Sequence, residues 1–148
     1  MKKGMLAVFV VGALAVAWMA TAGGNYVEDR RTIVVDGVKC TGLSRCYEPQ
    51  RVGTSDEKVP LWQFEGEGYS QAERIIRHIS ISSQLIVNGN PIDSDAQEAD
   101  NSSYVHSHCY GTGGDWWECV YASDHMFQVK STPRYLHTEA GWSSKEGR

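Results

Sequence analysis

The sequence lacks the motifs that mark the common catalytic sites. It contains no G-x-S-x-G nucleophile elbow, no H-E-x-x-H metal-binding helix and no P-loop. Gly66 and Gly68 are followed by Gln71, where a dinucleotide-binding fingerprint needs a third glycine. These absences favour a protein that is not an enzyme, and we expect neither a catalytic residue nor a cofactor.

The chain also lacks a run of basic residues. Its 14 Lys and Arg residues are outnumbered by 18 Asp and Glu residues, which gives a formal net charge of −4 at pH 7. An acidic domain repels the phosphate backbone of nucleic acids. We therefore expect no nucleic-acid partner.

One long apolar run is present, at the N-terminus. Lys2 and Lys3 precede an almost uncharged stretch from Met5 to Met19, which is followed by Ala20-Thr21-Ala22. This order of a basic region, an apolar region and a small-residue cleavage site is that of a secretory signal peptide. A membrane-spanning helix needs about 20 apolar residues, and the run is shorter than that unless the residues after Met19 are counted.

The N-terminal run therefore predicts export. We expect a signal peptide over residues 1–22 and a single mature domain over residues 23–148, in the periplasm or secreted from a bacterial cell. Cleavage would remove two positive charges and leave a mature net charge of about −6. An uncleaved N-terminal segment, which would hold the protein at the membrane, is the alternative.

All four cysteines follow the predicted signal peptide, at Cys40, Cys46, Cys109 and Cys119. An even number of cysteines in an oxidising compartment predicts disulfides. Four cysteines allow three connectivities, and the sequence alone does not choose between them. The short separations within each pair favour Cys40 with Cys46 and Cys109 with Cys119.

The remaining pattern predicts an α+β fold. β-branched runs beside the turn dipeptides Asp36-Gly37 and Asn88-Gly89 indicate strands of a small antiparallel sheet. Residues 70–73 read Ser-Gln-Ala-Glu, a capping box, and apolar residues continue from there at helical spacing. We expect one α-helix over about residues 70–80, packed on the sheet, and a fold stabilised by disulfides.

Residues 93–103 are acidic and contain little apolar surface. Asp93, Asp95, Glu98 and Asp100 could suggest a calcium loop. An EF-hand needs Gly at its sixth position and Glu at its twelfth, and this chain has Glu98 and Tyr104 there. We therefore expect an exposed acidic loop.

The C-terminal third predicts a β-hairpin, with strands over residues 103–110 and 116–123 around a Gly-rich turn. If Gly114 is the centre of the turn, Cys109 lies directly opposite Cys119. A cross-strand disulfide is then feasible.

The same register divides the hairpin side chains between two faces, because neighbouring residues on a strand point to opposite sides. The expected core face holds Val105, Ser107, Trp117 and Tyr121, and the other face holds Tyr104, His106, His108, Tyr110, Glu118 and Val120. Trp116 is expected to be exposed. Exposed aromatic residues are typical anchors of binding sites, so we expect Trp116, Tyr110 and Tyr104 to contact a partner.

His106 and His108 are the metal-ligand candidates. Two imidazoles at i and i+2 on a strand point the same way, which is a chelating arrangement that zinc accepts. A third ligand would have to come from elsewhere, and the nearest candidates in the sequence are Glu118, His125 and Asp115. Two histidines are a weak signal, and a surface role is favoured over a metal site.

These features together favour a binding or accessory protein of the bacterial envelope or exterior, which contacts a protein or glycan through its C-terminal aromatic hairpin. The alternative is a small secreted hydrolase or metal-dependent enzyme that uses His106 and His108. Metal content of the mature protein separates the two interpretations.

Overall fold

The computed structural model describes residues 24–144, so the expected signal peptide over residues 1–22 lies outside the described residues. Within residues 24–144 the chain forms strands and no helix. No helix in this range is long and apolar enough to cross a membrane. The strands are β1 (Tyr26–Val35), β2 (Val38–Tyr47), β3 (Gln50–Thr54), β4 (Pro60–Val87), β5 (Asn90–Gly113), β6 (Glu118–Gln128) and β7 (Arg134–Ser143).

Two long strands organise the sheet. The strand order is β1-β2-β4-β6-β7, and β3 and β5 both pair with β4. We call β1, β2, β3, residues 60–72 of β4 and residues 104–113 of β5 half I. Half II comprises residues 76–87 of β4, residues 90–102 of β5, β6 and β7. The inner faces of the two halves pack against each other, and β4 and β5 run through both.

The free edges of the two halves meet along two seams, which makes the sheet a nearly closed barrel. At one seam Asp29 of β1 accepts a hydrogen bond from the backbone N–H of Glu139 in β7, at 3.0 Å. At the other, Asp95 and Asp93 accept from the N–H groups of His108 and Tyr110, at 3.0 and 2.9 Å. These carboxylates cover edge N–H groups that could otherwise pair with another chain. The acidic residues 93–103 belong to strand β5 and do not form the expected loop.

The expected helix over residues 70–80 is wrong, because this segment lies inside β4. The register of β4 against β5 is interrupted between Gln71 and Ile76, where the strand turns from half I into half II. Ala72, Ile76 and Ile79 are buried, while Ile75 is 69% exposed. The interruption thus places the inward residues four and three positions apart, which is the spacing of a helix face.

The expected hairpin and the two disulfide pairings expected from sequence separation, Cys40 with Cys46 and Cys109 with Cys119, are also wrong. Strands β5 and β6 do not pair with each other, and each pairs with β4 instead. Cys109 lies opposite Gly66, and Cys119 lies opposite Val87 and Trp142. All four cysteines are buried, and no two of their sulfur atoms lie at bonding distance. The fold is therefore all-β, without the helix and without either of the two disulfides that the sequence predicts.

Three layers of side chains fill the interior. An apolar cluster at each end is built mainly from aliphatic, aromatic and cysteine side chains. Between them lies a layer of buried hydroxyl groups, which we call the hydroxyl belt. The belt consists of Ser44, Ser70, Ser83, Ser107, Ser123 and Thr138, together with Tyr121 and His125, and side-chain hydrogen bonds of 2.6–2.8 Å connect its members.

Inward-facing glycines make room for the two rings of the belt. A Cβ atom on Gly42 would lie 2.5 Å from the His125 ring, and one on Gly66 would lie 2.2 Å from the Tyr121 ring. Real carbon contacts are not that short, so a side chain at either position would displace the ring. Glycine at these two positions of half I therefore leaves the space that the His125 and Tyr121 rings of half II occupy.

Candidate functional site

The outer face of half I carries an unusual concentration of aromatic and charged side chains, which we call the tyrosine face. Strand pairing places Tyr26, Tyr47, Glu65 and Tyr110 in one row and Glu28, Arg45, Glu67 and His108 in the next. Tyr69, Tyr104 and His106 lie beside these rows. All of these positions alternate with inward-facing residues, as strand geometry requires.

A row of alternating charges crosses the centre of the tyrosine face. The Arg45 Nη2 atom lies 2.9 Å from the Glu28 carboxylate, and Nη1 lies 3.8 Å from the Glu67 carboxylate. Both Arg45 and Glu67 are buried, and the Glu67 side chain is only 1% exposed. A charged pair removed from water on the outside of a sheet is unusual, because outer faces normally keep their charges solvated.

Two neighbours complete the bonding of Glu67. The Tyr47 hydroxyl donates to Glu67 Oε2 at 2.7 Å, and His106 Nε2 is 2.9 Å from Oε1. Burial, followed by the hydrogen bond to Glu67, raises the pKa of Tyr47 well above its ordinary value. The tyrosine therefore stays protonated and keeps donating to the carboxylate.

Tyrosine rings cover this pair. The Arg45 guanidinium lies 4.3 Å from the centre of the Tyr26 ring and 5.7 Å from that of Tyr69. Tyr69 in turn contacts the His106 and Tyr104 rings, with centroids 4.8 and 5.8 Å away. Arginine held between aromatic rings is a cation–π arrangement that gains strength where water is excluded.

The two histidine candidates lie side by side on this face, but each is bound to its own carboxylate. His106 contacts Glu67, and His108 Nε2 lies 2.9 Å from Glu65. The bond to Glu65 raises the pKa of His108 above its ordinary value. Within residues 24–144 no group of three or more His, Cys, Asp or Glu side chains could hold a metal ion. The structure thus brings no third ligand to these histidines.

The structure places the expected partner-binding residues on different parts of the molecule. Tyr104 and Tyr110 lie on the tyrosine face, outward as predicted. Trp116 is only 9% exposed and packs on Trp62 and Phe64, whereas Trp117 is 50% exposed. The expected exposures of the two tryptophans are therefore reversed.

The reversal has a local cause. Residues 114–117 lie outside the strands, so strand alternation does not govern their side chains. The backbone N–H of Trp117 donates to the Asn88 side chain at 2.8 Å, which fixes the segment against the β4–β5 turn. Val105, Ser107 and Tyr121 are buried as expected.

Sequence reasoning missed the centre of the site. Tyr26, Arg45, Tyr47, Glu67 and Tyr69 come from three strands, and only their pairing brings them together. The alternation of Glu65, Glu67 and Tyr69 is visible in the sequence, but it does not show which strands lie beside them.

The hydroxyl belt contains a hydrogen-bonded row of side chains that resembles a catalytic triad. Ser70 Oγ is 2.7 Å from His125 Nδ1, and His125 Nε2 is 2.7 Å from Thr138 Oγ1. This is the order of a nucleophile, a base and an orienting group. All three residues are fully buried, and burial lowers the pKa of His125 to about 4. A substrate has no access to them, so we interpret the arrangement as internal hydrogen bonding.

The tyrosine face is therefore the strongest site candidate. It offers ring surfaces, two histidine–carboxylate pairs and a buried arginine, and it assembles neither a metal-ligand set nor an accessible nucleophile. Tyrosine and arginine are residue types enriched at binding interfaces. The chain matches no family model and shows no significant similarity to a curated protein.

Proposed function

We propose that this chain is a non-enzymatic binding protein that contacts a protein partner through its tyrosine face. The observation that carries the proposal is the buried Arg45–Glu67 pair on the outside of half I, where the half-exposed Tyr26 ring covers Arg45. In agreement with the N-terminal sequence, we place this activity in the bacterial envelope or outside the cell.

The energetic cost of the pair supports this proposal. Burying two charges lowers the stability of the fold by roughly several kcal/mol. Apolar residues of similar size would often give equal or greater stability. Arg45 Nη1 is the only buried side-chain nitrogen or oxygen of the described residues that makes no hydrogen bond. The fold alone does not account for such an arrangement, whereas arginine and tyrosine are the residues that dominate binding energy at protein interfaces.

The shape of the surface favours a protein over a glycan or a small molecule. The outer side of a barrel wall curves away from a ligand, whereas small ligands bind in concave pockets that enclose them. Tyr26 and Tyr110 are about half exposed and lie at opposite edges of the same row. A protein surface can cover both rings at once.

Photo-cross-linking in the native host tests the proposal. A photoreactive phenylalanine analogue would replace Tyr110, and in a matched control it would replace Tyr135, which is 71% exposed on β7 of half II. We expect a defined protein adduct from position 110 that is absent from position 135 and weakened by Tyr26→Ala. Equal adducts from both positions, or none from position 110, would contradict the proposal.

A glycan array tests whether the partner is a glycan instead of a protein. Binding of the purified mature domain to a defined glycan, lost in both Tyr26→Ala and Tyr110→Ala but retained in Tyr135→Ala, would keep the site and replace the protein partner by a glycan. We expect no such binding.

A further inference from the structure

Two cysteines from different halves of the barrel meet in its interior. Cys46 on β2 and Cys119 on β6 are both fully buried, and their Sγ atoms are 3.7 Å apart. The Cys46 Sγ atom is also 3.6 Å from the backbone oxygen of Cys119. The Trp142 indole N–H donates to the Cys46 carbonyl at 2.9 Å and fixes the backbone at this point.

We propose that Cys46 and Cys119 form a disulfide that crosslinks half I to half II in the exported protein. Two thiols in van der Waals contact need only side-chain rotation and a small approach to reach the bonding distance of about 2.05 Å. The crosslink joins strands that are not neighbours in the sheet, and this proposal is independent of the proposed partner.

The other two cysteines have different surroundings. Cys40 lies in the apolar cluster at the opposite end of the interior, with Val38 and Phe127. Cys109 shares the cluster of Cys46 and Cys119, but Tyr121 is its side-chain hydrogen-bonding partner. Cys40 and Cys109 thus lie in different clusters and are not placed to pair with each other. We therefore expect one disulfide and two free thiols.

The reaction requires an oxidant of the dithiol–disulfide exchange class. A Cys46 or Cys119 thiolate attacks the disulfide of the oxidant and forms a mixed disulfide, which releases one oxidant thiolate. The other cysteine thiolate then attacks the protein sulfur of the mixed disulfide, which forms the Cys46–Cys119 bond and releases the second oxidant thiolate. The two cysteines lose two protons and two electrons in all, and the oxidant leaves as a dithiol. The hydrogen bond to Cys119, followed by burial, raises the pKa of Cys46 far above its ordinary value. Oxidation should consequently accompany folding and be slow in the folded, reduced protein.

Peptide mapping of the exported protein without reduction is the direct test. We expect a single crosslinked peptide pair that contains Cys46 and Cys119, and two thiols that become reactive only in denaturant. A Cys109–Cys119 or Cys40–Cys46 peptide pair would overturn the proposal. Four free thiols after refolding with oxidised glutathione would overturn it as well.

Paired variants provide a matched control. Cys40→Ser with Cys109→Ser should keep the disulfide, and reduction should lower its Tm by roughly 10 °C or more, because the crosslink closes a long loop. Cys46→Ser with Cys119→Ser should show no effect of reductant on Tm. If the second variant does not fold, the first variant still decides: a Tm that does not change on reduction would contradict the proposal.

Discussion

The hydroxyl belt and the tyrosine face are polar clusters on opposite sides of the same strands. Ser44 and Arg45 are neighbours on β2, and Ser107 and His106 are neighbours on β5, yet the serines point inward and the other two outward. The belt is built from neutral groups, whereas the face contains a buried ion pair. A hydroxyl both donates and accepts, so a closed set of serines can satisfy itself without water. A buried charge needs an opposite charge as well as hydrogen bonds, and this difference is the basis of the proposed contact with a partner.

The largest expected effect comes from breaking the ion pair of the face. Arg45→Ala would leave the Glu67 carboxylate buried without its cation, although Tyr47 and His106 remain bonded to it. Removing one partner of a buried pair typically costs about 3–5 kcal/mol. We expect a loss of that size in the free energy of unfolding, measured by chemical denaturation.

Arg30→Ala is the matched control for this variant. Arg30 also contacts Glu28, at 3.9 Å, but its side chain is 59% exposed. Exposed pairs contribute about 0–1 kcal/mol, so the control should be close to wild type. Equal losses in the two variants would show that burial of Arg45 is energetically unimportant.

The belt should respond to acid. Burial lowers the pKa of His125 to about 4 in the folded protein, against about 6.5 in the unfolded chain. Between these values the unfolded chain binds a proton that the folded protein excludes, so stability falls as pH is lowered through this window. The loss approaches roughly 3 kcal/mol near pH 4.

Denaturation of the wild type and of His125→Asn at a series of pH values measures this effect. The variant lacks the titrating group, so the difference between the two stabilities should shrink from pH 7 to pH 4. A difference that stays constant with pH would mean that His125 is not neutral inside the belt.

A smaller effect is expected from one hydroxyl of the belt. Ser83 bonds to both Ser107 and Ser123, at 2.7 and 2.8 Å. Ser83→Ala leaves those partners partly unsatisfied in the interior, which costs about 1–3 kcal/mol. Ser82→Ala, on the exposed neighbour of the same strand, is the control and should change stability by less than about 0.5 kcal/mol. Comparable changes in the two variants would argue against a cooperative belt.

The turns and the expected helix show how much of the fold the sequence can predict. Asp36-Gly37 and Asn88-Gly89 were expected as turns, and all four residues have positive φ angles between paired strands. The helix prediction failed because the corner in β4 shifts the inward positions and imitates a helical period. The spacing of apolar residues cannot distinguish a helix from a corner in a strand, because the corner in β4 forms only when β5 folds with it.

The site was predicted only in part for a related reason. The outward direction of Tyr104, His106, His108 and Tyr110 follows from alternation within a single strand. Arg45 and Glu67 become a pair only through the order β1-β2-β4, which no local pattern encodes. The Cys109–Cys119 pairing assumes a hairpin of β5 and β6. In the structure Cys109 lies in half I and Cys119 lies in half II.

The smallest expected effect is the pH response of the tyrosine face, and its sign is opposite to that of the belt. The bond to Glu65 raises the pKa of His108, so the stability from this pair is fully present below pH 6.5 and is lost as pH rises through the folded pKa. The His108 side chain is 40% exposed, so solvent reduces the contribution to less than about 1 kcal/mol.

NMR titration of the histidine rings would measure both signs in one experiment. His108 should titrate above its ordinary value, and Glu65→Gln should move its pKa downward, while His125 should remain neutral until about pH 4 in both proteins. Because Glu65 is on the outer face and His125 is inside, a shift of His125 in the Glu65 variant would show that the two clusters are coupled through the wall of the barrel. An unchanged His125 would leave the belt and the tyrosine face as independent clusters, one inside the barrel and one on its outer face, where we propose the partner contact.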